Sequence, residues 1–193
     1  MNRITVFCGS SSGNDDVYVK SARDLGRILA QNNIGLVYGG AKVGIMGAVA
    51  DGVLSEGGEA IGVLPFFLQS KEIAHEGLSQ LILVDSMHER KMKMNELSDG
   101  VIALPGGFGT LEEFFEMLTW AQLGLHKKPI ALLNIYGYYD PLVTMIDTMV
   151  ENGFLKDINR RMMLVDNDIN TLLNRMHTYS APDVGKWISS ETI

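Results

Sequence analysis

The sequence predicts an α/β fold, a doubly wound and mostly parallel sheet with helices on both faces. Three observations predict it. Short apolar runs recur along the chain without polar alternation inside them, as strands covered on both faces require. Longer segments with apolar residues at helical spacing separate these runs, the pattern of βαβ units. Glycine turns follow three of the runs, which gathers those turns at one edge of the sheet, where open α/β folds bind ligands.

Residues 4–8, Ile-Thr-Val-Phe-Cys, form the first strand. The turn from Gly9 to Gly13 leads into a helix over 14–32, with Val17, Leu25, Ile28 and Leu29 along its stripe. Residues 35–38 form the second strand and end at Gly39-Gly40. A helix over 41–55 follows, in which Gly44 and Gly47 allow close packing or close ligand approach, and Glu56-Gly57-Gly58 ends it with a glycine C-cap. Residues 60–64 form the third strand, stopped by Pro65. Residues 66–80 read as a loop with a short helix, and long loops in compact domains often carry function. The fourth strand covers 81–84, and a helix over 86–97 is capped by Asp85 or Ser86. The fifth strand covers 101–104, with a helix over 111–123 after it. The sixth strand covers 130–133, a helix opened by Asp140-Pro141 runs to 150, and a last strand and helix cover 162–165 and 169–177. Crossovers should be right-handed. The layout is one Rossmann-like domain over 1–193, with 180–193 as a loose tail.

Of the 193 residues 46% are hydrophobic and 20% charged, the balance of a soluble globular chain with a full-sized core. No apolar run approaches the roughly 20 residues of a membrane span. The chain starts directly on a strand-like run, without a signal peptide, and its one cysteine, Cys8, has no internal partner. Both point to the cytoplasm. At the end of a buried strand, Cys8 reads as a small core residue. A net charge of −7 argues against nucleic-acid binding. No G-x-x-x-x-G-K-[ST] occurs, and the first turn is not G-x-G-x-x-G. The second strand ends in Tyr38-Gly39-Gly40, where a dinucleotide fold places an acid, so a redox dinucleotide is not expected.

The centre of the sequence is Leu104-Pro105-Gly106-Gly107-Phe108-Gly109-Thr110-Leu111-Glu112-Glu113. Glycines between a strand and a helix let a ligand reach the main chain. The free amides and dipole of the helix start favour an anion. Glu112 and Glu113 place carboxylates beside it, as chemistry on a phosphorylated molecule requires. Thr110 and Glu113 also match a capping box, which uses both residues structurally and leaves Glu112 to work. A plain helix start, however, needs one cap and no glycine cluster. Met87-His88-Glu89-Arg90-Lys91 opens the helix after the fourth strand, at the same sheet edge. Arg90 suits fork-like pairing with phosphate or carboxylate, and Lys91 supplies a point charge. With Lys93, the same residues also read as a solvated basic face, and Met87, Met92 and Met94 as core filler.

Met-His-x-Arg-Lys followed by Pro-Gly-Gly-x-Gly-Thr-x-x-Glu resembles the double signature of the LOG ("lonely guy") phosphoribohydrolases, often labelled lysine decarboxylases. The resemblance continues through Phe7-Cys8-Gly9-Ser10-Ser11, Val37-Tyr38-Gly39-Gly40-Ala41, Gly58-Glu59-Ala60-Ile61-Gly62-Val63-Leu64-Pro65 and Thr119-Trp120-Ala121-Gln122-Leu123-Gly124, to about residue 154. It implies hydrolysis of the N-glycosidic bond of AMP or N6-prenyl-AMP to free base and ribose 5-phosphate, in a homodimer with sites near the subunit interface. No cofactor is expected, and no metal, since the four histidines (75, 88, 126, 177) have no ligand spacing and no cysteine partner. Arg90 and Glu113 are the implied catalytic pair. The implied substrate contacts are Ser10, Glu72, Arg90, Lys91, Gly106, Gly107, Phe108, Gly109, Thr110, Leu111 and Glu112. Which of Glu112 and Glu113 faces the ribose stays open from spacing alone. The runner-up is a non-catalytic nucleotide or molybdenum-cofactor carrier of the same fold, which needs the cradle but not the carboxylate. A lysine decarboxylase needs a Schiff-base lysine, and Lys42 alone adjoins a glycine turn.

Overall fold

The computed structural model describes residues 1–68 and 74–183. Seven parallel strands form one sheet: β1 (Arg3–Phe7), β2 (Gly35–Tyr38), β3 (Ala60–Pro65), β4 (Gln80–Val84), β5 (Gly100–Ala103), β6 (Ile130–Leu133) and β7 (Met163–Asp166). The helices are α1 (Asp16–Gln31), α2 (Gly44–Ser55), α3 (Met87–Leu97), α4 (Phe108–Gln122), α5 (Asp140–Glu151), the single turn α6 (Asp157–Arg160) and α7 (Ile169–His177). None of them is long and apolar enough to cross a membrane.

The central strands are buried on both faces because their side chains alternate between two cores. Ile4, Val6, Leu36, Tyr38, Ile102 and Leu104 meet α1, α2 and α7 on one side. Phe7, Val37, Val101, Ala103 and Leu132 meet α3, α4 and α5 on the other. The α1–α2 contact is close because it is built on glycine. A Cβ at Gly26 would lie 2.2 Å from the Val49 carbonyl oxygen, and one at Gly52 would lie 2.2 Å from that of Arg23.

The strand order is β4-β3-β2-β1-β5-β6-β7. The chain winds outward from β1 to β4, then returns to β1's other side with β5. This reversal opens a crevice above the carboxyl ends of β1 and β5, the place such sheets bind ligands. The turn after β1 and the Pro-Gly-Gly turn after β5 both lie there. The Gly9 amide donates to the Pro105 carbonyl at 3.1 Å and ties the two turns together.

Two short elements escaped the sequence reading, α6 and a turn of 3-10 helix at Ile135–Gly137, being too brief to show a helical period. The 3-10 turn at Phe66–Leu68 is the short helix expected in the loop after β3. The proposed tail beyond residue 183 lies outside the described residues.

Candidate active site

The largest correction to the sequence reading concerns the start of α4. The helix begins at Phe108, with Gly107 as its N-cap, and not at residue 111. Thr110 is therefore inside the first turn, buried, and the alternative reading of Thr110 and Glu113 as a capping box does not hold. Gly106 makes this possible, since a Cβ there would lie 2.1 Å from the Thr110 hydroxyl oxygen. No side chain caps Gly107, and the first helical bond runs from the Leu111 amide to the Gly107 carbonyl. The amides of Phe108, Gly109 and Thr110 thus have no acceptor within the helix.

Neighbouring helices handle the same problem differently. Asp15 caps α1 by accepting from the Val17 amide at 2.9 Å. In α3, Ser86 accepts from the Glu89 amide, while the Glu89 carboxylate accepts from the Asp85 amide. At α2 the amides of Ile45 and Met46 donate to the carbonyls of Ser11 and Gly9. The second glycine turn is thereby taken up by packing against the first. Only α4, of these four, keeps an uncapped first turn over the crevice.

Beneath it lies a cavity of about 310 Å³ lined in part by Cys8, Ser10, Gly39, Met46, Met87 and Arg90, with Gly107, Gly109, Thr110 and Glu113. A second hollow of about 360 Å³, lined by Tyr18, Tyr138 and Gly106, shares Gly9, Ser10 and Gly107 with it. Arg90 is 6% exposed. Its Nη2 donates to the Gly39 carbonyl at 3.3 Å, and its Nε has no hydrogen-bond partner. Among the described residues no carboxylate lies within ion-pair distance of it. A buried guanidinium without a counter-ion is costly unless a ligand supplies the missing oxygen. Gly39 makes room for it, because a Cβ there would sit 2.1 Å from Nη2.

The two adjacent acids part company. Glu113 turns into the cavity and is half-buried. Glu112 turns away and accepts from Lys91 Nζ at 2.6 Å, with Glu116 at 3.0 Å on the same ammonium. Burial pulls the Lys91 pKa down, but the hydrogen bonds and charges of the two carboxylates outweigh it and hold it above its usual value. The Cys8 thiol is pushed well up by burial, then by the Glu113 charge, with Arg90 opposing. It is held as a neutral thiol on the cavity floor, in keeping with a packing role.

Of the expected contacts, Ser10, Arg90, Gly107, Gly109, Thr110 and Glu113 line the cavity. Gly106 lines the adjoining hollow. Phe108 stands at the helix start, 95% exposed. Lys91 and Glu112 pair with each other outside the cavity lining, and Leu111 packs toward the core on the α3–α5 side. Glu72 lies outside the described residues. Lys42 pairs with Glu76 at 3.5 Å. Met94 is core, as expected, but Met92 is 47% exposed and fills nothing. Sequence reasoning missed Gly39 as the clearance for Arg90, and Tyr138, whose hydroxyl donates to the Gly106 carbonyl at 2.6 Å. Only an aromatic pair in a turn marks Tyr138 in sequence, which is no signal for a contact 32 residues away.

A family model described as "Possible lysine decarboxylase" matches residues 46–176. The chain is 46% identical over 178 residues to the probable cytokinin riboside 5'-monophosphate phosphoribohydrolase LOGL2 of Oryza sativa subsp. japonica, covering 92% of this chain and 73% of that one. It is 44% identical over 183 residues to the cytokinin riboside 5'-monophosphate phosphoribohydrolase LOG5 of Arabidopsis thaliana, covering 95% and 80%. Among solved structures, a molybdenum cofactor binding protein from Rippkaea orientalis superposes with a TM-score of 0.67 at 21% identity, over 91% of this chain and 95% of that one. At that identity the likeness is one of fold.

Proposed function

The chain belongs to the LOG family of cytokinin riboside 5'-monophosphate phosphoribohydrolases, and we propose that it hydrolyses the N-glycosidic bond of AMP or an N6-prenylated AMP. Water adds to the anomeric carbon, the C–N bond breaks, and free base and ribose 5-phosphate leave. The observation that carries this reading is the buried Arg90, without an ion-pair partner among the described residues, lining the same cavity as Glu113 and the open start of α4.

The amides of Phe108, Gly109 and Thr110, with the Thr110 hydroxyl, hold the 5'-phosphate at the positive end of the helix. Arg90 supplies donors to a phosphate or ribose oxygen and fixes the sugar. The transition state gathers positive charge on the ribose as the C–N bond lengthens. The Glu113 carboxylate stabilises that charge, or orients the attacking water. Of the two acids left open by spacing, Glu113 takes this role because it lines the cavity, whereas Glu112 turns away to Lys91. The working unit is a homodimer in the cytoplasm, with AMP-class nucleotides as its ligand.

A carrier of the same fold would need the cradle but not the Glu113 carboxylate. A hydrolysis panel decides between them. Incubation with AMP, N6-isopentenyl-AMP and the other nucleoside monophosphates should release free base from the adenine nucleotides. Tight binding of these nucleotides without any base release would sink the hydrolase reading.

A further inference from the structure

Lys91 sits one residue after Arg90, yet it takes no part in lining the cavity. Its side chain is 7% exposed and its ammonium reaches Glu112 at 2.6 Å and Glu116 at 3.0 Å. The bridge joins α3, which lies over β1, β2 and β3, to α4, which lies over β1, β5 and β6. Its ends are in the turns that carry the reacting groups: Lys91 follows Arg90 on α3, and Glu112 precedes Glu113 on α4. Among the described residues, Arg90 itself is anchored by one 3.3 Å bond to the Gly39 carbonyl and a 3.9 Å contact to the Met87 sulfur.

We propose that Lys91 is a positioning residue, whose ammonium clamps α3 to the second and third turns of α4 through Glu112 and Glu116 and so sets the separation of Arg90 from Glu113. The proposal rests on the hydrolase reading given above. An exposed lysine pair would contribute little, being mobile and screened. A buried ammonium shared by two carboxylates has one low-energy place, and it gives the helices a fixed spacing that their apolar faces alone do not specify. Reaction geometry is sensitive to such spacing, since a displacement of about 1 Å can lower a rate about 100-fold.

The test compares kcat and KM for AMP in the wild-type chain, Lys91→Met, Lys91→Arg and Glu112→Gln, with circular dichroism and thermal melting to count folded enzyme. Lys91→Met keeps the stem and loses the clamp. We expect its kcat to fall by about 30- to 100-fold while KM stays within about threefold. Lys91→Arg keeps the charge and recovers most of kcat. Glu112→Gln removes one arm of the clamp at an exposed position and lowers kcat by about three- to tenfold. A merely structural lysine would lower the melting temperature and leave kcat per folded molecule untouched, and that result overturns the proposal. So does a Lys91→Arg rate as low as that of Lys91→Met. If Lys91→Met fails to fold, Glu112→Gln decides: wild-type kcat refutes the clamp. A wild-type chain that releases no base removes the hydrolase reading and the clamp together, whereas an active wild type with unimpaired variants removes the clamp alone.

Discussion

Replacing Gly39 by alanine adds one methyl group beneath Arg90 in the wall of the cavity, and it should nearly silence the enzyme. That methyl would lie 2.1 Å from Arg90 Nη2 and 2.9 Å from Met46 Sδ. Ordinary contact begins near 3.4 Å, so the guanidinium must retreat by 1.3 Å, the difference between 3.4 and 2.1 Å. The Nη2–Gly39 carbonyl bond at 3.3 Å goes with it. Gly39 has no positive φ, so alanine suits the backbone and even narrows the unfolded ensemble slightly. The fold should survive, because the moving groups are the ends of flexible side chains. A shift of about 1 Å in a group that fixes the sugar predicts a loss in kcat/KM of about 100-fold, or ~2.7 kcal/mol of transition-state stabilisation. Adenine release from AMP followed by chromatography reads the rate, and thermal melting checks the fold. A folded Gly39→Ala variant within twofold of wild type would refute the claim that Arg90 works from the position that Gly39 clears.

Four further outcomes follow from the structure. Glu113→Gln and Arg90→Ala should each lower kcat by at least about 100-fold, the range for loss of one charged group facing the reacting centre. Glu112→Gln should cost at least tenfold less than Glu113→Gln, and equal losses would contradict the division of labour between the two acids. Tyr138→Phe removes the 2.6 Å bond to the Gly106 carbonyl, worth ~1 kcal/mol. It should raise KM for AMP about fivefold and leave kcat within twofold; an unchanged KM would show that the tyrosine does not hold the cradle. His126 is kept neutral, its pKa pulled down to about 4 by burial and by Lys128, against the Met117 carbonyl. Its stabilising effect is therefore full above the unfolded value of about 6.5 and lost as pH falls toward 4, where the unfolded chain binds a proton that the folded chain refuses. Over about 2.5 pH units this amounts to ~3 kcal/mol at most. Urea unfolding at pH 7 and pH 4.5 should show a smaller acid loss in His126→Gln than in wild type, and identical losses would remove His126 from the acid sensitivity.

The layers of this fold were legible because each buried strand is a short, unbroken apolar run. Gly35–Tyr38 and Ile130–Leu133 fall where the sequence puts them. The start of α4 was misplaced for a physical reason. Local pattern favours Thr110 as a cap, but the missing side chain of Gly106 lets the Thr110 hydroxyl pack against the turn, and the helix extends back to Gly107. The glycine cradle and the Arg90 motif were legible as sequence. The parting of Glu112 and Glu113 was not, since neighbouring helical residues point about 100° apart and only the position of α3 decides which one Lys91 takes. Gly39 shows the same limit: its meaning is set by a guanidinium 51 residues away in the chain.

The most direct test of the whole account is a crystal structure of the Glu113→Gln variant with AMP bound. The account predicts the 5'-phosphate about 3 Å from the amides of Phe108, Gly109 and Thr110, with the anomeric carbon between Arg90 and residue 113. A nucleotide seated elsewhere, or one whose ribose faces neither Arg90 nor residue 113, would contradict it.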